Sequence, residues 1–374
     1  MMIGSDSLLA SVIGSSDSLE NAKLASTLDA LQQGPRPLPL FLQLAQQETA
    51  GDAARLRNIL AGLRKLQEAP APPAPPPPPV IASAGRARLF DYGGTGPAAV
   101  FVPSLINPAS ILDLAETDSM LRWLSTQGCR PLLVDWGTPD ASERGRDLGG
   151  HVTGLLQPML RDIGAPYHLT GYCLGGTLAL ASAALAQPLS VVLIAAPWAF
   201  DGFPAPAVEA LNDLWDQAQP MVNQLGLLPL ELFQAGFWLL DPARTVSKYA
   251  QFAQMPQGSA QAERFVRIEN WANSGAPLTQ AAARELVDDL FTANAPGQGR
   301  WQVDGVPVAP SRLRCPVGQI VSLTDRIVPA ATALDGTDRF DLALGHVGMI
   351  VGSQAKRAVW RRLATWLSQS CASW

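Results

Sequence analysis

Histidine is scarce in this 374-residue chain: there are three, beside four cysteines and four tyrosines. The cysteines, at 129, 173, 315 and 371, have no metal-ligand spacing, so neither a metal centre nor a bound cofactor is expected. No disulfide framework is read either, and the thiols are expected to be reduced. The start of the chain lacks a basic stretch, and the apolar run Leu8 to Ile13 is too short for a secretory core or a membrane span. A formal charge of −5 and a pI near 5.3 argue against nucleic acid as a partner. These absences together predict a cytoplasmic protein with no transmembrane segment.

Apolar residues and proline, by contrast, are plentiful. Hydrophobic residues make up 47% against 16% charged, enough for one large domain with an elaboration. Pro70 to Pro79 contains eight prolines, which favour an extended polyproline II spacer. A linker is therefore set at 70–80, with a separate N-terminal helical region at 1–69. Within that region 19–33 and 39–67 read as helical, the second with Leu56, Ile59, Leu60, Leu63 and Leu66 at helical spacing. A tethered arm used for association and a leader of no specific role are both compatible with this pattern.

Beyond the linker, short β-rich runs alternate with helical patterns. The strands are expected at Ala98–Val102, Pro131–Asp135, Tyr167–Gly171, Val191–Ala195, Val317–Ser322 and Phe340–Leu344, and the helices around 117–128, 147–162 and 174–187. Apolar strands alternating with helices predict an α/β fold with a mostly parallel, doubly wound sheet. This core takes in 81–197 and 311–374. The intervening 198–310, rich in Trp, Phe and Leu, is too long and apolar for a loop and reads as a helical cap.

Gly171-Tyr172-Cys173-Leu174-Gly175-Gly176 has the form of a nucleophile elbow, G-x-S-x-G, with cysteine in the serine position. It lies between an expected strand and a small, apolar helix, the setting the motif needs. A cysteine there sits at a helix N-terminus, where the dipole favours thiolate, so a thioester-forming enzyme is predicted. Such a nucleophile needs a base and a carboxylate to orient it. His168 falls inside a strand, and His151 opens a helix where it is structural or solvent-facing. His346, in Gly345-His346-Val347-Gly348 after the last strand, is the candidate base. Asp325, after the preceding strand, is the candidate acid, and the order Cys173, Asp325, His346 is that of an α/β-hydrolase. Asp335, Asp338 and Asp341 read as loop and strand-flank charges, and Asp135 as a partner of the Trp136-Gly137 turn. The oxyanion hole would use the Leu174 amide and a second from Leu105 to Asn107, with Ile106 taken as the candidate. Cys129 and Cys315 read as small hydrophobes and Cys371 as part of a tail.

Six segments in order resemble the polyhydroxyalkanoate synthase family, whose members carry a cysteine lipase box in an α/β-hydrolase core. They are Val102-Pro103-Ser104-Leu105-Ile106-Asn107-Pro108 with Ile111 to Leu114; Val134-Asp135-Trp136-Gly137; the elbow through Thr177; Asn270-Trp271-Ala272-Asn273 with Arg284 to Leu290; Arg314-Cys315-Pro316-Val317; and Gly345-His346-Val347-Gly348-Met349. The last is closer to the short two-subunit synthases. The resemblance implies acyl transfer from 3-hydroxyacyl-CoA to a growing polyester, with CoA as part of the substrate rather than a cofactor. It also implies a homodimer, with an accessory synthase subunit or granule proteins as partners at the surface of polyester granules. Arg326 departs from the histidine the family commonly has after the acid. A thiol-type depolymerase or thioesterase would use the same three residues with water as acceptor. A non-catalytic granule-associated protein is the third reading. The basic, amphipathic segment Lys356 to Leu367 is expected to be the final helix of the fold, its charged side in water.

Overall fold

A computed structural model describes residues 33–368. Eight strands form one sheet: β1 Val80–Ala84, β2 Ala87–Asp91, β3 Ala98–Val102, β4 Arg130–Asp135, β5 Tyr167–Tyr172, β6 Val191–Ile194, β7 Val317–Ser322 and β8 Asp338–Leu342. Their spatial order is β1-β2-β4-β3-β5-β6-β7-β8. Strand β2 runs antiparallel to both neighbours and every other pair is parallel. That order and direction define the α/β-hydrolase fold. Strands β3 and β6 are buried at every position, and alternate residues serve opposite faces. Val100 and Val102 enter one apolar cluster, Ala99 and Phe101 the other.

The expected central strands are all present. The β1–β2 hairpin was not foreseen, because its edge strand is half exposed and carries no continuous apolar run. The last strand starts and ends two residues earlier than expected, since Asp338 and Phe340 pair with Gly318 and Ile320 of β7. Residues 198–310 are largely helical, as α3 Ala205–Leu225, α4 Leu230–Leu240, α5 Pro242–Gln254, α6 Ala260–Ala272 and a helical run over 280–292. The helical segment over 356–368 closes the core with Trp360, Leu363 and Trp366 buried, while Lys356, Arg357, Arg361 and Arg362 face water.

The described residues before the prolines, 33–69, pack against the rest of the chain. The helix expected over 39–67 is two, α1 Leu38–Glu48 and α2 Ala53–Gln67, broken where Gly51 takes a φ of 82° and Asp52 caps the Arg55 amide at 2.8 Å. Both pack on the cap: Phe41, Ile59, Leu63 and Leu66 share one core with Val246, Tyr249, Phe252 and Val266. Helix α2 crosses α5 so closely that a Cβ on Gly62 would lie 1.9 Å from the Tyr249 carbonyl oxygen. Lys65 Nζ donates to the carbonyls of Phe252, at 3.0 Å, and Met255. The helix expected over 19–33 lies outside the described residues save for Gln33. The proline segment is an anchored strap. Arg267 of α6 donates to the Pro73 carbonyl at 2.7 Å, Arg122 of the core to that of Pro76 at 2.7 Å, and the Asp91 amide to that of Pro79 at 2.9 Å.

Gly62→Val is expected to force α2 off α5, at a cost of about 1–3 kcal/mol. Limited proteolysis should then cut before residue 80 while the core stays folded. Unchanged protease resistance would show that the crossing tolerates a side chain.

Candidate active site

The elbow is built by backbone that approaches too closely for side chains. A Cβ on Gly171 would lie 2.2 Å from the Gly176 Cα, one on Gly175 2.0 Å from the Val102 carbonyl oxygen, and one on Gly176 2.2 Å from the Ala196 Cβ. Cys173 sits between strand β5 and the following helix, Leu174–Leu185, at φ 56° and ψ −136°. A non-glycine residue there stores about 1–3 kcal/mol, and it persists because the surroundings fix it. The Cys173 amide donates to the Ile194 carbonyl at 3.0 Å, and the Gly176 amide to the Cys173 carbonyl at 2.8 Å. The thiol is half-buried.

Asp325 and His346 arrive from the ends of β7 and β8. Nδ1 of His346 donates to Oδ2 of Asp325 at 2.6 Å, and both residues are buried. The other carboxylate oxygen accepts the amides of Ile327 at 2.8 Å and Val328 at 3.1 Å, which fixes its plane. With Nδ1 so engaged, Nε2 is the ring atom left for the Cys173 side chain, which hydrogen-bonds His346. Burial by itself lowers the pKa of His346. The negative charge on Cys173 and the hydrogen bond and charge of Asp325 outweigh it and push the value up to about 10. The structure thus brings Cys173, Asp325 and His346, the three residues expected from sequence, to one place.

The other two histidines are in neutral settings. His168 is buried, its Nδ1 2.7 Å from Ser190 Oγ, and burial drops its pKa to about 4. His151 is not solvent-facing: it is buried, with Nδ1 2.7 Å from the Asp147 carbonyl and Nε2 accepting from Arg86 at 2.8 Å. Burial, reinforced by that arginine, takes it to about 4 against a weaker opposing hydrogen bond to the Asp147 carbonyl. Asp135 accepts the Gly137 amide at 3.0 Å and Asp341 pairs with Arg339 at 2.6 Å, so neither competes for His346. Cys129 is buried, which pushes its thiol to about 11. Cys315 is half-buried at the start of β7, and Cys371 lies outside the described residues.

The Leu174 amide opens a helix, where first-turn amides have no intrahelical acceptor. The loop carrying Ile106 is held by the cap. Trp271 Nε1 donates to the Pro108 carbonyl at 2.8 Å, and the Ala276 amide to that of Ile106 at 3.3 Å. The Ile106 amide itself points at Ser104 Oγ, 3.3 Å away. To serve as an oxyanion donor it must give up that contact. Arg326 turns away from the site, donating to Asp241 Oδ2 at 2.8 Å at the α4–α5 junction of the cap. Sequence reasoning missed Tyr172, whose ring stacks on His346 at 5.0 Å between centroids. Its place inside the elbow motif was the available signal.

Among curated proteins, the chain is similar in sequence to polyhydroxyalkanoate polymerase subunits. The poly(3-hydroxyalkanoate) polymerase subunit PhaC of Haloferax mediterranei is 26% identical over 311 residues, 78% of this chain and 63% of that protein. The chain is similar to named polyhydroxyalkanoate polymerases along about three quarters of its length. PhaC of Haloarcula marismortui is 27% identical over 72% of the chain and 60% of that protein, and PhaC of Allochromatium vinosum 26% identical over 72% and 80%. The chain therefore spans less than two thirds of the length of the two archaeal relatives. No family model matches it. Likeness to solved structures is loose. A monoacylglycerol lipase of Paleococcus ferrophilus, 14% identical, gives a TM-score of 0.45 over 76% of this chain and 99% of that one.

Because the folded-state value of His346 lies above its ordinary 6.5, its charge stabilises the fold below about pH 6.5, and that contribution is lost as pH rises through about 10. Asp325→Asn removes one cause of the elevation. It should slow iodoacetamide alkylation of Cys173 at pH 7 by at least about tenfold and lower any acyl-transfer turnover by about 10²–10⁴-fold. Wild-type alkylation in this variant would break the link between the carboxylate and the thiol.

Proposed function

We propose that this chain is an acyltransferase of the polyhydroxyalkanoate synthase type, polymerising 3-hydroxyacyl-CoA through a thioester on Cys173. The carrying observation is the contact of a strained elbow cysteine with the buried His346–Asp325 pair, on a chain related to named polymerases. Cys173 attacks the thioester carbonyl while His346 holds the thiol proton, and collapse of the tetrahedral intermediate expels CoA, which takes that proton. One thioester replaces another, so the step is close to balanced in energy. The hydroxyl of a second acyl group then attacks the enzyme thioester. His346 accepts the hydroxyl proton and returns it to the Cys173 sulfur as the new ester forms. Asp325 holds the imidazole in the tautomer both steps need. The Leu174 amide and one from the Leu105 to Asn107 loop, Ile106 among them, receive the oxyanion.

The cap supports polymer over free acid, because water competes with the hydroxyl for the same thioester. Trp271 at the end of α6 and Ala276 in the segment after it pin the oxyanion-side loop, so the cap and the reacting centre are mechanically joined. The partners in this reading are 3-hydroxyacyl-CoA and the growing polyester. A homodimer, and an accessory subunit or granule proteins, complete the partners of this reading, and the relatives' designation as polymerase subunits supports an assembly. No helix among the described residues is long and apolar enough to cross a membrane. The reading places the chain in the cytoplasm at a granule surface. No group of residues suited to a metal ion occurs among the described residues, and the chemistry proposed requires none.

Purified protein incubated with 3-hydroxybutyryl-CoA is expected to release CoA and accumulate polyester, with Cys173→Ala inert in both. Free 3-hydroxybutyrate as the sole acyl product would make water the acceptor and the enzyme a thiol hydrolase. Equal CoA release by Cys173→Ala would refute the thioester mechanism.

A further inference from the structure

Tyr172 is the one aromatic residue in contact with the His346 ring among the described residues. It is the last residue of β5 and the immediate neighbour of Cys173, so the strand that sets the nucleophile sets this ring too. The two rings lie 28° apart in plane with centroids at 5.0 Å, a stacked arrangement. The Tyr172 hydroxyl donates to the His346 carbonyl at 3.3 Å, tying the ring to the backbone of the base as well as to its side chain. The side chain is buried. Burial first, then the charges of Cys173 and Asp325, hold the phenol well above its ordinary value, so it remains a donor throughout the working pH range.

We infer that Tyr172 is a positioning residue for His346: its ring face fixes the imidazole plane between Asp325 and Cys173 and favours the imidazolium form. An aromatic face attracts a cation placed over it, and does so more strongly in a desolvated site. The preference is therefore for the charged ring, the state that accompanies a Cys173 thiolate. Its plane is also held in a direction the Asp325 hydrogen bond leaves open. With Nδ1 engaged the imidazole can still rock about its Cβ–Cγ bond, and a ring stacked on the flat face restricts that motion. Each catalytic step proposed above needs Nε2 held toward Cys173.

The charged and titratable groups around His346 are few. Asp325 faces Nδ1 from the turn after β7, and Cys173 hydrogen-bonds the ring from the elbow. Arg244 of the cap reaches within 3.9 Å of where a Cβ on Gly345 would stand, close to the His346 backbone. Arg326 follows Asp325 in sequence but is paired with Asp241. Tyr172 stands apart from these as an uncharged group, so its removal changes the titration without changing the net charge of the site. The part of the inference that concerns turnover rests on the acyl-transfer reading, whereas the part that concerns the thiol does not.

The test is iodoacetamide alkylation of the full chain as a function of pH, with the Cys173→Ala rate subtracted to remove the other cysteines. Tyr172→Leu should alkylate about tenfold more slowly at pH 7 and recover toward the wild-type plateau at high pH. The midpoint of its profile should thus move upward by about one pH unit. Tyr172→Phe keeps the ring and loses only a 3.3 Å hydrogen bond, so it should stay within about threefold of wild type. With 3-hydroxybutyryl-CoA, Tyr172→Leu should lose kcat and keep KM. A Tyr172→Leu profile that superimposes on wild type overturns the inference, and so does a Tyr172→Phe loss as large as that of Tyr172→Leu. Because Tyr172→Phe preserves the packing, a tenfold slowing in that variant overturns the inference even if Tyr172→Leu melts below the assay temperature. A wild-type protein that makes no polyester yet shows these alkylation profiles would refute the synthase reading and leave Tyr172 in its role.

Discussion

The site depends on a place where three backbones meet with no room for a methyl group. The end of β3, the turn after β5 and the first turn of the helix from Leu174 converge at Gly171, Gly175 and Gly176. Only that convergence lets Cys173 keep a positive φ and stand between strand and helix with its thiol toward His346. The strain at one residue is held by the packing around it, chiefly the buried positions of β3 and the helix behind the elbow. The nucleophile's geometry is therefore a property of the sheet core. The acid and the base need no comparable strain, because each follows a parallel strand whose register with its neighbour delivers it to the same edge.

Much of this was legible in the sequence, for identifiable reasons. Central strands announce themselves as unbroken apolar runs, since both faces are covered. The elbow announces itself because its glycines are sterically compelled. With three histidines, only His346 could follow the last strand. The β1–β2 hairpin was missed for the converse reason: its residues are half exposed, and its pairing is set by a partner strand forty residues away. The docking of α1 and α2 on the cap was not readable either. The apolar stripe at Ile59, Leu63 and Leu66 declares that the helix has a partner but not which surface provides it. Gly62, within that helix, has its reason in the crossing with α5, which leaves no room for a side chain.

At the candidate site, residue types were legible and contacts were not. Asp325 and His346 were read from order and loop position, and the 2.6 Å bond between them is what folding adds. Position 106 was read from the fold's expected place for a second donor, yet its amide is turned toward Ser104. Such a detail depends on the local loop path, which no side-chain pattern encodes. Arg326 seemed a departure within the site, and its guanidinium instead meets Asp241, on the seam between two cap helices. The pair is exposed and contributes little energy, about 0.2–1 kcal/mol, but it places a contact between the acid-bearing turn and the cap.

The proline strap adds a consequence of another kind. Eight prolines in ten residues make a stiff spacer of about 3 Å per residue, and its carbonyls at Pro73, Pro76 and Pro79 are held in turn by the cap and the core. Stiffness of this sort keeps α1 and α2 near their docking face on the cap, at an effective concentration that short tethers raise to the millimolar range. Their association with the cap is in that sense a concentration set by geometry. A single cut within the strap would turn a contact independent of protein concentration into one that dilution dissolves, with no residue of the interface altered.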